Sequence, residues 1–250
     1  MDHKKFIKIE LITWIVLAGL LIVILVLSIL NKSKMNDYEF RSSLKVENFS
    51  YNIDTTQDMK IVQEHSITAK DITKINIDLS SEDINIIESK DQNIYIVEKS
   101  NRDLKENELC KIQQDNHELH ITKPKLQINS DFFNIRNQMQ LDIYLPAGYE
   151  GDLLVKVSSG DLTVSSKLDL KENVFEAYHM SGDIEVENEI RAGKVTFNVQ
   201  SGDIDVLKEV YAQEISMNSK SGDITLDKVV AESYNVKVSS GNISVMSLKG

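Results

Sequence analysis

Residues 195–206 read VTFNVQSGDIDV. Val195, Phe197 and Val199 alternate with Thr196 and Asn198, which is the period-2 pattern of a strand with one buried face. Ser201-Gly202-Asp203 then supplies turn chemistry, and Ile204 and Val206 resume the alternation around Asp205. The same corner recurs at Ser159-Gly160-Asp161, Ser181-Gly182-Asp183, Ser221-Gly222-Asp223 and Ser240-Gly241-Asn242, at steps of 22, 20, 20 and 19 residues. A fixed period near twenty residues marks one structural unit stacked on itself.

The flanking residues fall into columns. Two before each serine stand Val157, His179, Val199, Ser219 and Val238; four before, Val155, Ala177, Phe197, Met217 and Val236. Six before stand Leu153, Phe175, Val195, Ile215 and Tyr234. Three after come Leu162, Ile184, Ile204, Ile224 and Ile243, and five after come Val164, Val186, Val206, Leu226 and Val245. Nine after come Leu168, Ile190, Val210 and Val230. Each unit thus reads as a strand, a corner, a short second strand and a return.

Twenty residues is too short for a strand–helix–strand crossover of roughly thirty. The expected fold is therefore all-β: a single-stranded parallel β-solenoid of about 20-residue coils, neighbours about 4.8 Å apart. Antiparallel hairpins are the alternative, with successive corners at one end of a sheet. Glycine supplies backbone angles closed to other residues, and Asp or Asn bonds its own backbone in a turn. The fifth corner keeps that capacity while Asn242 drops the charge. A calcium-holding ladder of Asp161, Asp183, Asp203 and Asp223 is the sharper reading, but one carboxylate per coil is thin for an ion that takes 6–8 oxygens.

Residues 11–30, LITWIVLAGLLIVILVLSIL, carry no charge and are long enough to cross about 30 Å of hydrocarbon. Trp14 lies near one end, where the interface favours aromatic rings. The run is longer than a cleaved leader's apolar core, and Ser28-Ile29-Leu30-Asn31 is a poor cleavage site. The expected layout is a cytoplasmic tail at 1–10, a transmembrane signal anchor at 11–30 and a juxtamembrane linker at 31–46. An extracytoplasmic β-repeat domain follows at 47–250, with regular coils over 151–250. The partner implied by 11–30 is the lipid bilayer.

The chain has 250 residues and a net charge of −11, an acidic balance that argues against binding nucleic acid phosphates. Its single cysteine, Cys110, allows no internal disulfide. Strand signals run through 47–53, 59–67, 73–79, 83–89, 93–99 and 139–145, and Ser81-Glu82-Asp83-Ile84 reads as a decayed corner with glutamate in place of glycine. Residues 108–123 read as a hairpin around Asp115-Asn116.

Little points to catalysis. His117 and His120 are three apart, which on a strand places their rings on opposite faces. His179 sits in a column otherwise mostly valine. No phosphate-cradling glycine loop or nucleophile elbow is present. The expectation is no enzyme, no cofactor and no catalytic or metal residues.

An N-terminal anchor followed by serial S-G-D-[IL]-x-[VIL] units resembles the bacterial domain-of-unknown-function family labelled "putative adhesin", with its toast-rack-like stack of β coils. In layout it is similar to the LiaG-type members of Gram-positive envelope-stress operons. The resemblance covers roughly residues 70–250. It implies the stacked fold and a non-catalytic interaction role with an envelope or membrane protein; adhesin-like binding of a wall or surface ligand is the alternative, and a glycan-active enzyme a third. The last coil has no evident cap, so weak self-association or strand addition is expected at that edge.

Overall fold

The structure, a computed structural model, describes residues 59–123 and 138–250. The expected strand at 47–53 and the span at 11–30 lie outside them. The coils of the repeat are β8 (Asp152–Ser159) with β9 (Leu162–Val164), and β11 (Val174–Ser181) with β12 (Ile184–Val186). The later units run through β13 (Ile190–Ser201), β14 (Ile204–Ser221), β15 (Ile224–Ser240) and β16 (Ile243–Lys249). Between β9 and β11 a two-residue strand, β10 (Leu168–Asp169), starts the return that β13 continues.

Pairing is parallel throughout this stack. Val155 lies beside Ala177, Ala177 beside Phe197, Phe197 beside Met217 and Met217 beside Val236. Past the corner, Leu162, Ile184, Ile204, Ile224 and Ile243 pair in turn. This settles the choice between solenoid and hairpins in favour of the solenoid. The columns are the core: Leu153, Phe175, Val195 and Ile215 are fully buried, as are Leu162, Ile184, Ile204 and Ile224. Each such side chain contributes about 1.5–3 kcal/mol by leaving water. Phe175 and Phe197 meet edge-to-face at 5.1 Å between ring centroids.

One column assignment needs correction. Val229, not Val230, stacks on Val210, because a bulge between Val206 and Glu209 takes up the residue by which the next unit is shorter. Val229 is fully buried and Leu248 stacks on it in the last coil.

The first half of the domain joins the same stack, but not in chain order. β2 (Lys74–Leu79) pairs in parallel with β8, and β3 (Asp83–Glu88) with β9, so residues 74–88 form a coil directly below the first regular one. Beyond it lies a coil that comes later in the chain: β6 (Glu118–Thr122) on β2, and β7 (Met139–Leu145) on β3. The chain thus enters the stack at its second level, steps out to the first, and returns to the third past Pro146. The end beyond this first level is covered by antiparallel strands. β5 (Lys111–Asp115) pairs with β6, β4 (Asn93–Ser100) with β7, and β1 (Lys60–Thr68) with β4. The expected hairpin at 108–123 is β5–β6, turning at Asn116 with φ 53°.

Candidate functional site: the corner ladder and the face beside it

The corners stack as a ladder with two sets of rungs. Glycine N–H groups donate to the serine carbonyl of the next coil, Gly160 to Ser181 at 3.2 Å and Gly202 to Ser221 at 2.9 Å. In the other direction, the N–H of Asp183 donates to Asp161 Oδ1 at 2.8 Å, Asp203 to Asp183 at 2.8 Å, Asp223 to Asp203 at 2.6 Å and Asn242 to Asp223 at 2.7 Å. The aspartates therefore act as acceptors for backbone, which explains their side chain without an ion. Among the described residues no group of three or more His, Cys, Asp or Glu side chains is placed to hold a metal.

Glycine is required for two reasons at once. Gly202 has φ 143°, and a Cβ there would stand 2.2 Å from the Gly182 carbonyl oxygen. Ser159, Ser181, Ser201, Ser221 and Ser240 form the register column immediately before the turn. Gly160, Gly182, Gly222 and Gly241 also lie at positive φ.

The ladder has a start and a finish. Asp83 Oδ1 accepts from Asp161 N at 3.1 Å, so Ser81-Glu82-Asp83 is a true corner. Glu82 is absent from the positive-φ residues, and so it tolerates a side chain. That side chain is fully buried and accepts from the N–H groups of Ser80 and Ser81. Its other oxygen lies 3.0 Å from Lys123 Nζ, an ionic contact without hydrogen-bond alignment. Lys123 Nζ also donates to Glu98 Oε1 at 2.6 Å, and Glu98 takes the Cys110 N–H at 2.9 Å. This buried Glu–Lys–Glu group ties the second level to the outer coil and its covering strands. Sequence reading missed it because its members are spread over 82–123 without a shared motif. Burial, with Glu98 beside it, pushes the Cys110 thiol pKa up, the reverse of an activated nucleophile. At the far end Asn242 turns its Nδ2 back toward Asp223, 3.2 and 3.4 Å from the two carboxylate oxygens.

His179 is enclosed in that column, at 2% exposure. Its Nδ1 lies 3.1 Å from the Gly160 carbonyl, which can only accept, so Nδ1 carries the proton. Nε2 is buried without a partner. Protonating it would bury an unanswered N–H, and burial accordingly holds the His179 pKa below the usual 6.5. Ser219, the other polar residue of that column, donates to the Gly202 carbonyl at 3.0 Å in the same way. The two exceptions to the valine column thus each bond a corner glycine one coil below. His117 and His120 do not converge: His117 Nδ1 meets the Asp71 carbonyl at 2.8 Å, and His120 Nε2 lies 3.5 Å from Glu118.

On the outer face of β8, β11, β13 and β14, beside the corners, lies a shallow groove of about 390 Å³. Tyr178 and Met180 rise from β11 into it, 37% and 57% exposed. Asn198 and Asn218 continue the Tyr178 register across β13 and β14, linked by Asn218 Nδ2 donating to Asn198 Oδ1 at 2.9 Å. Lys156 and Lys220 bound it. The groove thus joins an exposed ring, an exposed thioether and a bonded pair of amides on a floor of paired strands.

The sequence model of the family described as Toastrack DUF4097 matches residues 72–249, which is β2 through the end of β16. The chain belongs to the Toastrack DUF4097 family. Among solved structures it is similar to a "putative adhesin" from Parabacteroides distasonis ATCC 8503, at 18% identity over 76% of this chain and 83% of that one, TM-score 0.39. It is also similar to a "putative adhesin" from Bacteroides fragilis NCTC 9343, at 15% identity over 73% and 96% of the two chains, TM-score 0.37. A "putative cell adhesion protein" from Clostridium sporogenes ATCC 15579 matches at 14% identity over 75% and 99%, TM-score 0.29. No curated protein matches the chain.

Proposed function

We propose that this Toastrack chain is a non-catalytic binding module, held at the bacterial cell membrane by residues 11–30 with its β domain extracytoplasmic. Its role is in envelope maintenance or the envelope stress response, as a LiaG-like member of the family. The observation that carries the binding role is the groove around Tyr178 and Met180: two large exposed side chains on a face whose other positions are mostly polar. The floor beneath it is backbone laddered on both sides, so the groove is preorganised and loses little entropy on binding. The anchor rests on the uncharged twenty-residue run, and the stress role on the resemblance in layout. In-membrane crosslinking of the full-length protein, followed by mass spectrometry, tests it. Reproducible capture of a membrane or envelope protein is the expected result; capture of nothing reproducible would refute the proposal.

A second reading has its own observation. The bonded amides of Asn198 and Asn218 next to the Tyr178 ring form a surface suited to a polyhydroxylated ligand, as in adhesin-like binding of wall glycan. Retention of the full-length protein on purified wall, lost in Tyr178→Ala, would favour it over a protein partner.

A further inference from the structure

The outward face beside the corners carries a side-chain row that runs across the strands. In register along it stand Lys156 on β8, Tyr178 on β11, Asn198 on β13, Asn218 on β14 and Lys237 on β15. Successive members are one strand spacing, about 4.8 Å, apart. The middle three are uncharged and line the groove.

The two amides are held in place without being saturated. Asn218 Nδ2 donates to Asn198 Oδ1 at 2.9 Å and to Ser216 Oγ at 3.1 Å. That fixes the orientation of both amides and leaves Asn198 Nδ2 and Asn218 Oδ1 without a partner among the described residues. A donor and an acceptor thus stand side by side, and a hydroxyl, which both donates and accepts, completes them. Tyr178 is held in a similar way. Its hydroxyl donates to Glu176 Oε2 at 3.2 Å while its ring stays exposed beside the amides. Thr196, on the same side of β13 two residues before Asn198, buries a hydroxyl that has no partner. The face holds more hydrogen-bonding capacity than the protein itself uses.

Three features narrow the ligand. The strands beneath the groove are paired on both edges, so no peptide can add here as a strand and recognition is by side chains. Charged side chains of both signs line the groove, Lys156 and Lys220 against Asp78, and the nearby Glu176 is met by Lys194 at 4.0 Å. An uncharged ligand is the complement of that balance. The row also advances in strand-spacing steps, and an extended 1,4-linked pyranose chain advances by nearly the same step per sugar.

We infer that the row binds an uncharged, linear 1,4-linked sugar chain lying along the solenoid axis, with successive sugars over Tyr178, Asn198 and Asn218. This rests on the wall-glycan reading above and adds the ligand's charge, linkage and direction. One sugar face stacks on the Tyr178 ring, and hydroxyls of the next two meet Asn198 Nδ2 and Asn218 Oδ1. Lys156 and Lys237 mark the ends of the three-sugar stretch.

The test titrates the full-length protein, in micelles of a detergent without a sugar headgroup, with cello-oligosaccharides of two to six sugars and with malto-oligosaccharides of the same lengths. The first series is straight and keeps register with the strands; the second curves away from it. The expected result is binding of the straight series, with affinity rising at least tenfold from two sugars to four and levelling beyond. The curved series should bind at least tenfold more weakly. Tyr178→Ala and Asn218→Leu should each weaken the four-sugar complex at least tenfold, whereas Lys208→Gln, an exposed lysine off this face, should not change it. Absence of binding, equal binding of the two series, affinity independent of length, or binding unaffected by Tyr178→Ala would each overturn the inference. Wall retention that is lost in Tyr178→Ala, without length dependence among the oligosaccharides, would sink this inference alone and leave the wall-glycan reading standing.

Discussion

The main-chain N–H of Asp223 donates to Oδ1 of Asp203 at 2.6 Å, across two coils that are twenty residues apart in sequence. The carboxylate is an acceptor placed for the next coil's backbone. Asp203→Ala should lower stability by about 1 kcal/mol, the net worth of such a bond at an exposed site. Asp203→Asn keeps an oxygen there and should lower it less. Thermal unfolding of the two variants side by side checks this; equal losses would show that the charge, not the acceptor, matters.

The ladder's closing residue gives a second prediction. Asn242→Asp would set a carboxylate against Asp223 where an amide now donates to it. Stability should fall by about 1 kcal/mol, the scale of two charges a few ångströms apart in high dielectric, and salt should restore part of it. A salt-independent loss would point to backbone change instead.

Gly222→Ala should be far worse than either. Its φ is 139° and a Cβ would lie 2.1 Å from the Gly202 carbonyl oxygen, so both backbone angle and packing forbid it. Loss of more than about 3 kcal/mol is expected, read as failure to accumulate folded protein or as a large drop in the urea midpoint.

His179 makes stability depend on pH. Its folded pKa lies below the unfolded value of 6.5, so the unfolded chain binds the proton more readily, and stability falls as pH drops through 6.5 toward the folded pKa. The slope for one such group is at most about 1.4 kcal/mol per pH unit. His179→Val, which copies Val157 and Val199 of the same column, should remove that slope and leave the protein as stable or more so. Urea midpoints from pH 7 to pH 5 measure it, and identical slopes in both proteins would contradict the account.

Lys123 and Lys74 separate buried from exposed ion pairing. Lys123→Met would leave Glu82 and Glu98 enclosed without their cation, at a cost of about 3–5 kcal/mol. Lys74→Met, whose partner Glu118 is 3.9 Å away at the surface, should cost less than about 1 kcal/mol. Denaturant unfolding compares them directly, and similar losses would show that the buried group is not a tie between levels.

The repeat made the second half of the fold legible. Alternation around each Ser-Gly-Asp named the core columns, and the period excluded a helical crossover. Even Ser81-Glu82-Asp83-Ile84 could be recognised, because Asp83 and Ile84 keep their column positions while only the glycine is lost. Two things were hidden. The outer coil built from β6 and β7 lies below β2 and β3 although it follows them in sequence, and 74–79 and 118–122 share no pattern beyond ordinary strand alternation. The bulge after Val206 also moved the return column from Val230 to Val229, a shift that a one-residue change in spacing signals without saying which residue slips. For the groove the sequence offered only Tyr178 and Met180 as large residues in otherwise polar registers, a signal visible once strand faces are assigned.

The proposed binding role puts the contact with the ligand on the face around Tyr178. The most direct measurement places a photoreactive phenylalanine analogue at position 178 of the full-length protein in its native membrane, and for comparison at Thr225, which is exposed on the strand beyond the corner. A discrete crosslinked product is expected from position 178 and none from position 225. No product at 178, or the same products from both positions, would contradict it.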